Sequence, residues 1–212
     1  MGFFVCLGKN EFLYKHESSE YIQIGNNYSM SEREKYLKII TNEFSVWEVR
    51  LQNLTSLNLY DAHNLSEHSI CELLNLIFDY KLKNLNSLKM NFPAIDLGDK
   101  SNSLCIQVTS TKSGKKVQET IEKFLENKLN EQYGELLVLI LGKKQKSYSI
   151  HYNSENFSFD SKNQILDFRN LLNIIKSKPP NILEKISKIL LSENSNGYKT
   201  KVNPNEKKFK RN

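Results

Sequence analysis

The chain has 212 residues, enough for one domain with its own core and short appendages. Hydrophobic residues make up 39% of it, which argues against wholesale disorder, and no apolar run approaches the roughly 20 residues that a membrane-crossing helix needs. The net charge of +6 points to a polyanion until it is located: from Asn194 onward six Lys and Arg stand against Glu206, so the body carries only about +1. The tail over residues 193–212 is polar, aperiodic and expected to be disordered. It can add salt-sensitive affinity for DNA or simply solubilise the chain.

The cysteines Cys6, Cys71 and Cys105 are odd in number, far apart and set in apolar surroundings. That predicts reduced, buried thiols and a cytoplasmic protein, not a disulfide framework. The opening MGFFVCLGKNEF lacks the charged front and cleavage site of a signal peptide.

In chain order, residues 1–29 form an uneven opening with one short strand expected at 3–7. Ser31 and Glu34 make a capping box. Behind it Leu37, Ile40, Phe44, Trp47, Leu51 and Leu54 recur at steps of three and four, which predicts a helix with one apolar stripe. The stripe would cover the domain or meet a partner subunit, including a second copy in a homodimer. A second helix is expected at 65–82, capped by Asn64, and short strands at 87–91, 93–97 and 104–110. The segment 98–102, with Asp99 in it, reads as a turn between the last two. Ser113 is a fitting cap for a helix over 114–130. The run LLVLIL at 136–141 suits an interior strand covered on both faces. A hairpin near 148–159 follows, then helices at 165–176 and 182–191 split by Pro179 and Pro180.

Two polar residues interrupt this pattern. Period two puts Gln107 beside Cys105 and Thr109 on one face of its strand, and Asp96, between Ile95 and Leu97, can approach it across the hairpin. A carboxylate there needs hydrogen bonds, an ion pair or a cation. Mg²⁺ (or Mn²⁺) prefers oxygen ligands, and Asp96, the Gln107 side-chain oxygen and the Val108 carbonyl could hold it. Glu67 could add a second carboxylate, because Ile70, Leu74 and Phe78 lie within roughly 60° of it around the helix. Each has a plainer reading. Asp96 could bind turn amides, Gln107 could be satisfied by backbone, and Asn64 to Glu67 is itself a capping box. Lys112, Lys115 and Lys116 cluster where the helix dipole disfavours cations. They suit phosphate contact or a solvated basic turn. His63 and His68 flank Glu67 and read as surface or structural residues.

The order of elements and the pattern Pro93-Ala94-Ile95-Asp96 … Gln107-Val108-Thr109-Ser110 resemble the PD-(D/E)XK nuclease superfamily. The blocks LNLYDAHNLSEHSICELLNLIFDYKLKNLN, NFPAIDLGD and IQVTSTKSGKKVQETIEKF resemble the bacterial SMEK domain. The likeness spans residues 30–141 and continues toward 191. It implies an α/β fold with a restriction-endonuclease-like core, αβββαβ in order, with a mixed central sheet flanked by helices, an added N-terminal helix and C-terminal helices. It also implies one domain over 30–192 after an extension at 1–29, and a role in defence against phage and mobile DNA. By the same likeness Glu67 and Asp96 match the acidic residues and Gln107 replaces the second strand acid. Thr109 stands where the superfamily has lysine, and Lys116, then Lys112, is the candidate for a migrated lysine. Two functions follow: a Mg²⁺-dependent DNA endonuclease, or a nuclease-like fold that only binds nucleic acid or a protein.

Overall fold

The structure, a computed structural model, describes residues 3–6, 12–15, 21–24, 30–57, 67–90 and 92–196. The opening segment holds three short strands where one was expected: β1 (Phe3–Cys6), β2 (Phe12–Lys15) and β3 (Tyr21–Ile24), paired antiparallel in that order.

The capping box forms as expected. Ser31 N–H donates to the Glu34 carboxylate at 3.0 Å, and Glu34 N–H donates to Ser31 Oγ at 3.2 Å. It starts α1 (Glu32–Ser56), a contribution of about 1 kcal/mol. Ile40, Phe44, Trp47 and Leu51 are buried, Leu37 is half-buried, and Leu54 lies outside the residues whose side chains are described. This stripe is consumed inside the molecule, against α6 (Pro180–Asn196) and the ring of Phe168. Each buried aromatic stabilises that contact by roughly 2–3 kcal/mol. The stripe therefore does not offer a face to a partner subunit or a second copy. Among the described side chains of α1 the exposed large apolar ones are Val46 and Val49.

The second helix, α2 (Glu67–Phe78), stops short of the expected end, because Asp79 takes a left-handed conformation (φ 59°). Asn64, expected to cap it, lies outside the described residues. Strand β4 is Lys83–Asn84, and residues 85–90 turn rather than extend. The strand expected at 93–97 is also displaced. Ala94 at φ 65° breaks extension after Pro93, and β5 begins only at Leu97, running to Asp99. Gly98 and Asp99, read as turn residues, are therefore strand residues, and the turn falls at 100–103. Strand β6 (Leu104–Thr109) is as expected.

Helix α3 (Gly114–Glu126) starts at Ser113, whose hydroxyl accepts from Lys116 N–H. Strand β7 is Glu135–Ile140, and β8 (His151–Ser154) with β9 (Phe157–Asp160) forms the expected hairpin. After a single turn, α4 (Ser161–Gln164), the start of an expected helix is instead strand β10 (Ile165–Asp167). Helix α5 (Phe168–Ile175) begins one residue later, because Asp167 and Asn170 form a capping box there. The last helix runs past the expected boundary, and Asn194, buried on it, donates its side-chain amide to Glu43.

The mixed sheet has the order β10-β7-β6-β5-β4. β6 pairs parallel with β7, β7 with β10, and the two pairings on the β4 side are antiparallel. Leu97, Leu104, Ile106, Leu137 and Leu139 face the cluster built by α1, α2, α5 and α6. Cys105, Leu136, Val138 and Ile140 face α3, Tyr133 and the β9 phenylalanines. Burial on both faces is what the continuous apolar run of β7 requires. Among the described residues no helix is long and apolar enough to cross a membrane.

Candidate metal centre

The β5–β6 register pairs Leu97 with Ile106, so the next pair outward is Asp96 and Gln107. Backbone bonds extend the ladder to this point. Asp96 N–H donates to the Ile106 carbonyl at 3.0 Å, and Leu85 N–H donates to the Asp96 carbonyl at 2.8 Å. Their side chains meet on the α3 face of the sheet. Asp96 Oδ2 accepts from Val108 N–H at 2.7 Å and from Gln107 Nε2 at 2.7 Å.

Gln107 Nε2 also donates to the Val108 carbonyl at 2.9 Å. Both of its partners are acceptors, which fixes the orientation of the amide. In this arrangement the nitrogen of Gln107, not its oxygen, faces the carboxylate. Gln107 aims Asp96, and the Val108 carbonyl shares the Gln107 nitrogen with it.

The other Asp96 oxygen, Oδ1, accepts from Asn86 Nδ2 at 3.4 Å, and the same nitrogen donates to Glu67 Oε1 at 3.0 Å. One amide thus spans the two carboxylates. Asn86 is held by its own turn. Its N–H donates to Asn84 Oδ1 at 2.9 Å and its Oδ1 accepts from Phe92 N–H at 2.9 Å. Asn86 carries no periodic signal and was not singled out from the sequence. The pointer was the density of turn residues in Asn84-Leu85-Asn86-Ser87, a stretch adjoining the expected strand.

Burial pushes the Asp96 carboxyl up to about 6. The Val108 amide opposes this, the Glu67 charge adds to it, and Asn86 and the Lys116 charge pull it back. Two carboxylates this close, one of them half-buried, form a site that gains from a cation. The donors suit a hard one: Asp96 Oδ1 with only one long hydrogen bond, the exposed Glu67, and the Val108 carbonyl. Among the described residues no three His, Cys, Asp or Glu side chains converge as a metal cluster, so neutral oxygens and water would complete the shell.

Lys116, in the first turn of α3, is half-buried and acts on Asp96 through its charge. Lys112 is exposed and enters no contact with Asp96. Its carbonyl accepts from the Tyr148 hydroxyl at 2.9 Å. Lys115 pairs with Glu119 at 3.9 Å on the helix surface. Thr109 uses its hydroxyl to accept from Thr111 N–H at 3.1 Å, closing the turn after β6. His68 is exposed beside Glu72 at 3.5 Å, and His63 lies outside the described residues. Cys71 and Cys105 are free and buried, and burial raises both thiols. Cys6 lies outside the residues whose side chains are described.

A family model described as the SMEK domain matches residues 39–176. No curated protein and no solved structure matches the chain.

Proposed function

The chain belongs to the SMEK domain family, and from that premise we propose that it is a Mg²⁺-dependent DNA endonuclease with a PD-(D/E)XK nuclease core, acting in bacterial defence against phage or mobile DNA. The order α2, β4, β5, β6, α3, β7 is compatible with such a core. The observation that carries the reading is the convergence of Asp96 and Glu67 on one Asn86 amide, with the Lys116 charge bearing on the same carboxylate.

Asp96, Glu67 and the Val108 carbonyl would hold Mg²⁺ or Mn²⁺, and Gln107 and Val108 N–H would aim Asp96. The metal, when bound, supplies a Lewis acid that activates water and stabilises the leaving oxygen of a phosphodiester. Asp96, raised to about 6, is half ionised at that pH and becomes fully charged only well above it. Lys116 then balances charge on the scissile phosphate, and Lys112, exposed at the strand end, suits a flanking phosphate.

A second reading is favoured by Thr109. Its hydroxyl closes a turn where the superfamily has lysine, which suits a nuclease-like fold that binds nucleic acid without cutting it. The test is to titrate Mg²⁺ and Mn²⁺ into wild type and Asp96→Ala by calorimetry while following plasmid nicking. Metal binding and nicking confined to wild type is the expected result. Equal cutting by both proteins would remove Asp96 from the chemistry. A folded wild type that neither binds metal nor cuts would move the binding reading ahead.

A further inference from the structure

Strands β6 and β7 run parallel and end side by side: Thr109 pairs with Ile140, and Leu141 N–H donates to the Thr109 carbonyl at 2.8 Å. The loops that leave them are joined by one side chain. The Tyr148 hydroxyl donates to the Lys112 carbonyl at 2.9 Å and accepts from Gln145 N–H at 3.1 Å. Its ring packs against the core on the α3 face, and its own carbonyl accepts from Ser161 Oγ at 2.9 Å. Farther along, the Ile150 side chain lies over the start of α3, 3.8 Å from where a Cβ on Gly114 would stand. The second loop is thus fixed on the α3 face, at the end of β6 that carries Gln107 and Val108.

Positive charge is concentrated at this end. Residues 104–118 and 136–154, the two strands with their loops, hold Lys112, Lys115, Lys116, Lys143, Lys144 and Lys146 and no Asp or Glu. The chain before Asn194 carries only about +1, so the rest of that body is net negative. Two of the six lysines are engaged elsewhere. The Lys144 ammonium donates to the Ile165 carbonyl, and Lys115 pairs with Glu119. Lys112, Lys143 and Lys146 are exposed and form no ion pair among the described residues. Two acids approach the second loop from other elements, and each has another partner. Asp167 caps α5 and accepts from Lys144 N–H at 3.1 Å, and Glu48, which reaches Gly142 from α1, accepts from Gln52 at 3.3 Å.

A single small anion needs donors that converge. Lysines spread along two joined loops suit instead a charge repeated along a chain. We propose that residues 110–113 and 142–148 form a rim for the phosphodiester backbone of a nucleic acid, with Lys112, Lys143 and Lys146 on phosphates flanking the one at Lys116 and Asp96. The rim extends the nuclease reading to how the strand is held, and rests on it for nucleic acid as the ligand. Contact of this kind does not require that the chain cut.

The test uses the full chain with EDTA present, so that neither metal nor cleavage enters. Binding of a short fluorescein-labelled duplex DNA is followed by anisotropy over a series of salt concentrations. Wild type is compared with a rim variant, Lys143→Gln with Lys146→Gln, and with a control, Lys185→Gln with Lys188→Gln, which removes two charges from α6 on the other face of the sheet. All four lysines are exposed, so both variants keep their fold. Each phosphate neutralised contributes about −0.9 to the slope of log K against log salt, so the rim variant is expected to flatten that slope by about 2 and to weaken binding roughly tenfold or more. The control is expected to leave slope and affinity near wild type. The proposal is overturned if the two variants lose binding equally, or if the rim variant keeps the affinity and slope of wild type. In both cases DNA binding stands and the nuclease reading survives. A wild type that binds no DNA overturns the rim and removes the substrate from that reading as well.

Discussion

Asp96 and Asp99 sit three residues apart on one strand segment and are held in opposite ways. Asp99 is buried, yet both its oxygens are saturated. Oδ1 accepts from Ser101 N–H at 3.0 Å, Ser101 Oγ at 2.5 Å and Asn102 N–H at 3.2 Å, and Oδ2 from Lys81 N–H and Asn102 Nδ2, each at 2.7 Å. Burial alone would raise its pKa, but these bonds outweigh it and hold the carboxyl far below the usual range. Asp96 has two short donors on one oxygen, a single long one on the other, and Glu67 nearby, and its pKa rises. The difference separates a carboxylate that builds a turn from one that waits for a cation. Burial of charge identifies neither role; the donors around it do.

The comparison breaks most visibly at Asp99. Asp99→Ala strands the partly buried amides of Lys81, Ser101 and Asn102. Each stranded group costs about 1–3 kcal/mol, so the expected loss is about 4 kcal/mol, read as a lower urea midpoint with an unchanged slope.

Asp96→Asn is expected to do the opposite. A carboxyl whose folded pKa of about 6 exceeds its ordinary 3.8 binds its proton more tightly when folded. Stability therefore falls as pH rises from about 4 to 6, and the burden is complete above that. At roughly 1.4 kcal/mol per pKa unit the substitution gains at most about 3 kcal/mol at pH 8. The gain disappears near pH 4. Thermal midpoints of both proteins at the two pH values check this, and a gain that persists at pH 4 would assign the effect to packing.

The smallest effects sharpen the comparison. Glu67→Gln removes a nearby charge and should move the Asp96 titration midpoint below 6, with stability changed by less than about 0.5 kcal/mol. Asn86→Ala removes a lowering hydrogen bond and should move it up, at a cost of about 1 kcal/mol. Carboxyl chemical shifts followed against pH read both. Opposite shifts confirm that Asn86 sits between the two acids as a positioning residue, and equal shifts would refute it.

Much of this was legible in residue pattern. The Ser31 and Ser113 caps, the α1 stripe, β6 and the two-sided β7 follow from local rules. Asp96 and Gln107 stood out because polar side chains broke an apolar alternation, and antiparallel pairing then brought them together. What was missed depends on conformations that pattern does not encode. The left-handed Ala94 delayed β5, so the strand read at 93–97 was displaced. The Asn84 turn that places Asn86 was hidden beside a presumed strand. Local pattern reads β10 as the start of a helix, although Asp167 and Asn170 mark where that helix begins. The destination of the α1 stripe was a question of tertiary partner, and α6 answered it from the far end of the chain.

Trp47 is the only tryptophan in the sequence. It is 1% exposed, its indole N–H has no partner among the described residues, and it is wedged between Phe44 and Phe168 on the sheet face opposite Asp96. Its emission is therefore an optical gauge of a single place, where α1, α5 and α6 meet. An indole shielded from water emits toward the blue and shifts red when that wedge opens. Any variant at the acidic edge that leaves this colour unchanged has kept its helical layer, so a loss of metal binding in it reads as chemistry at the edge and not as unfolding.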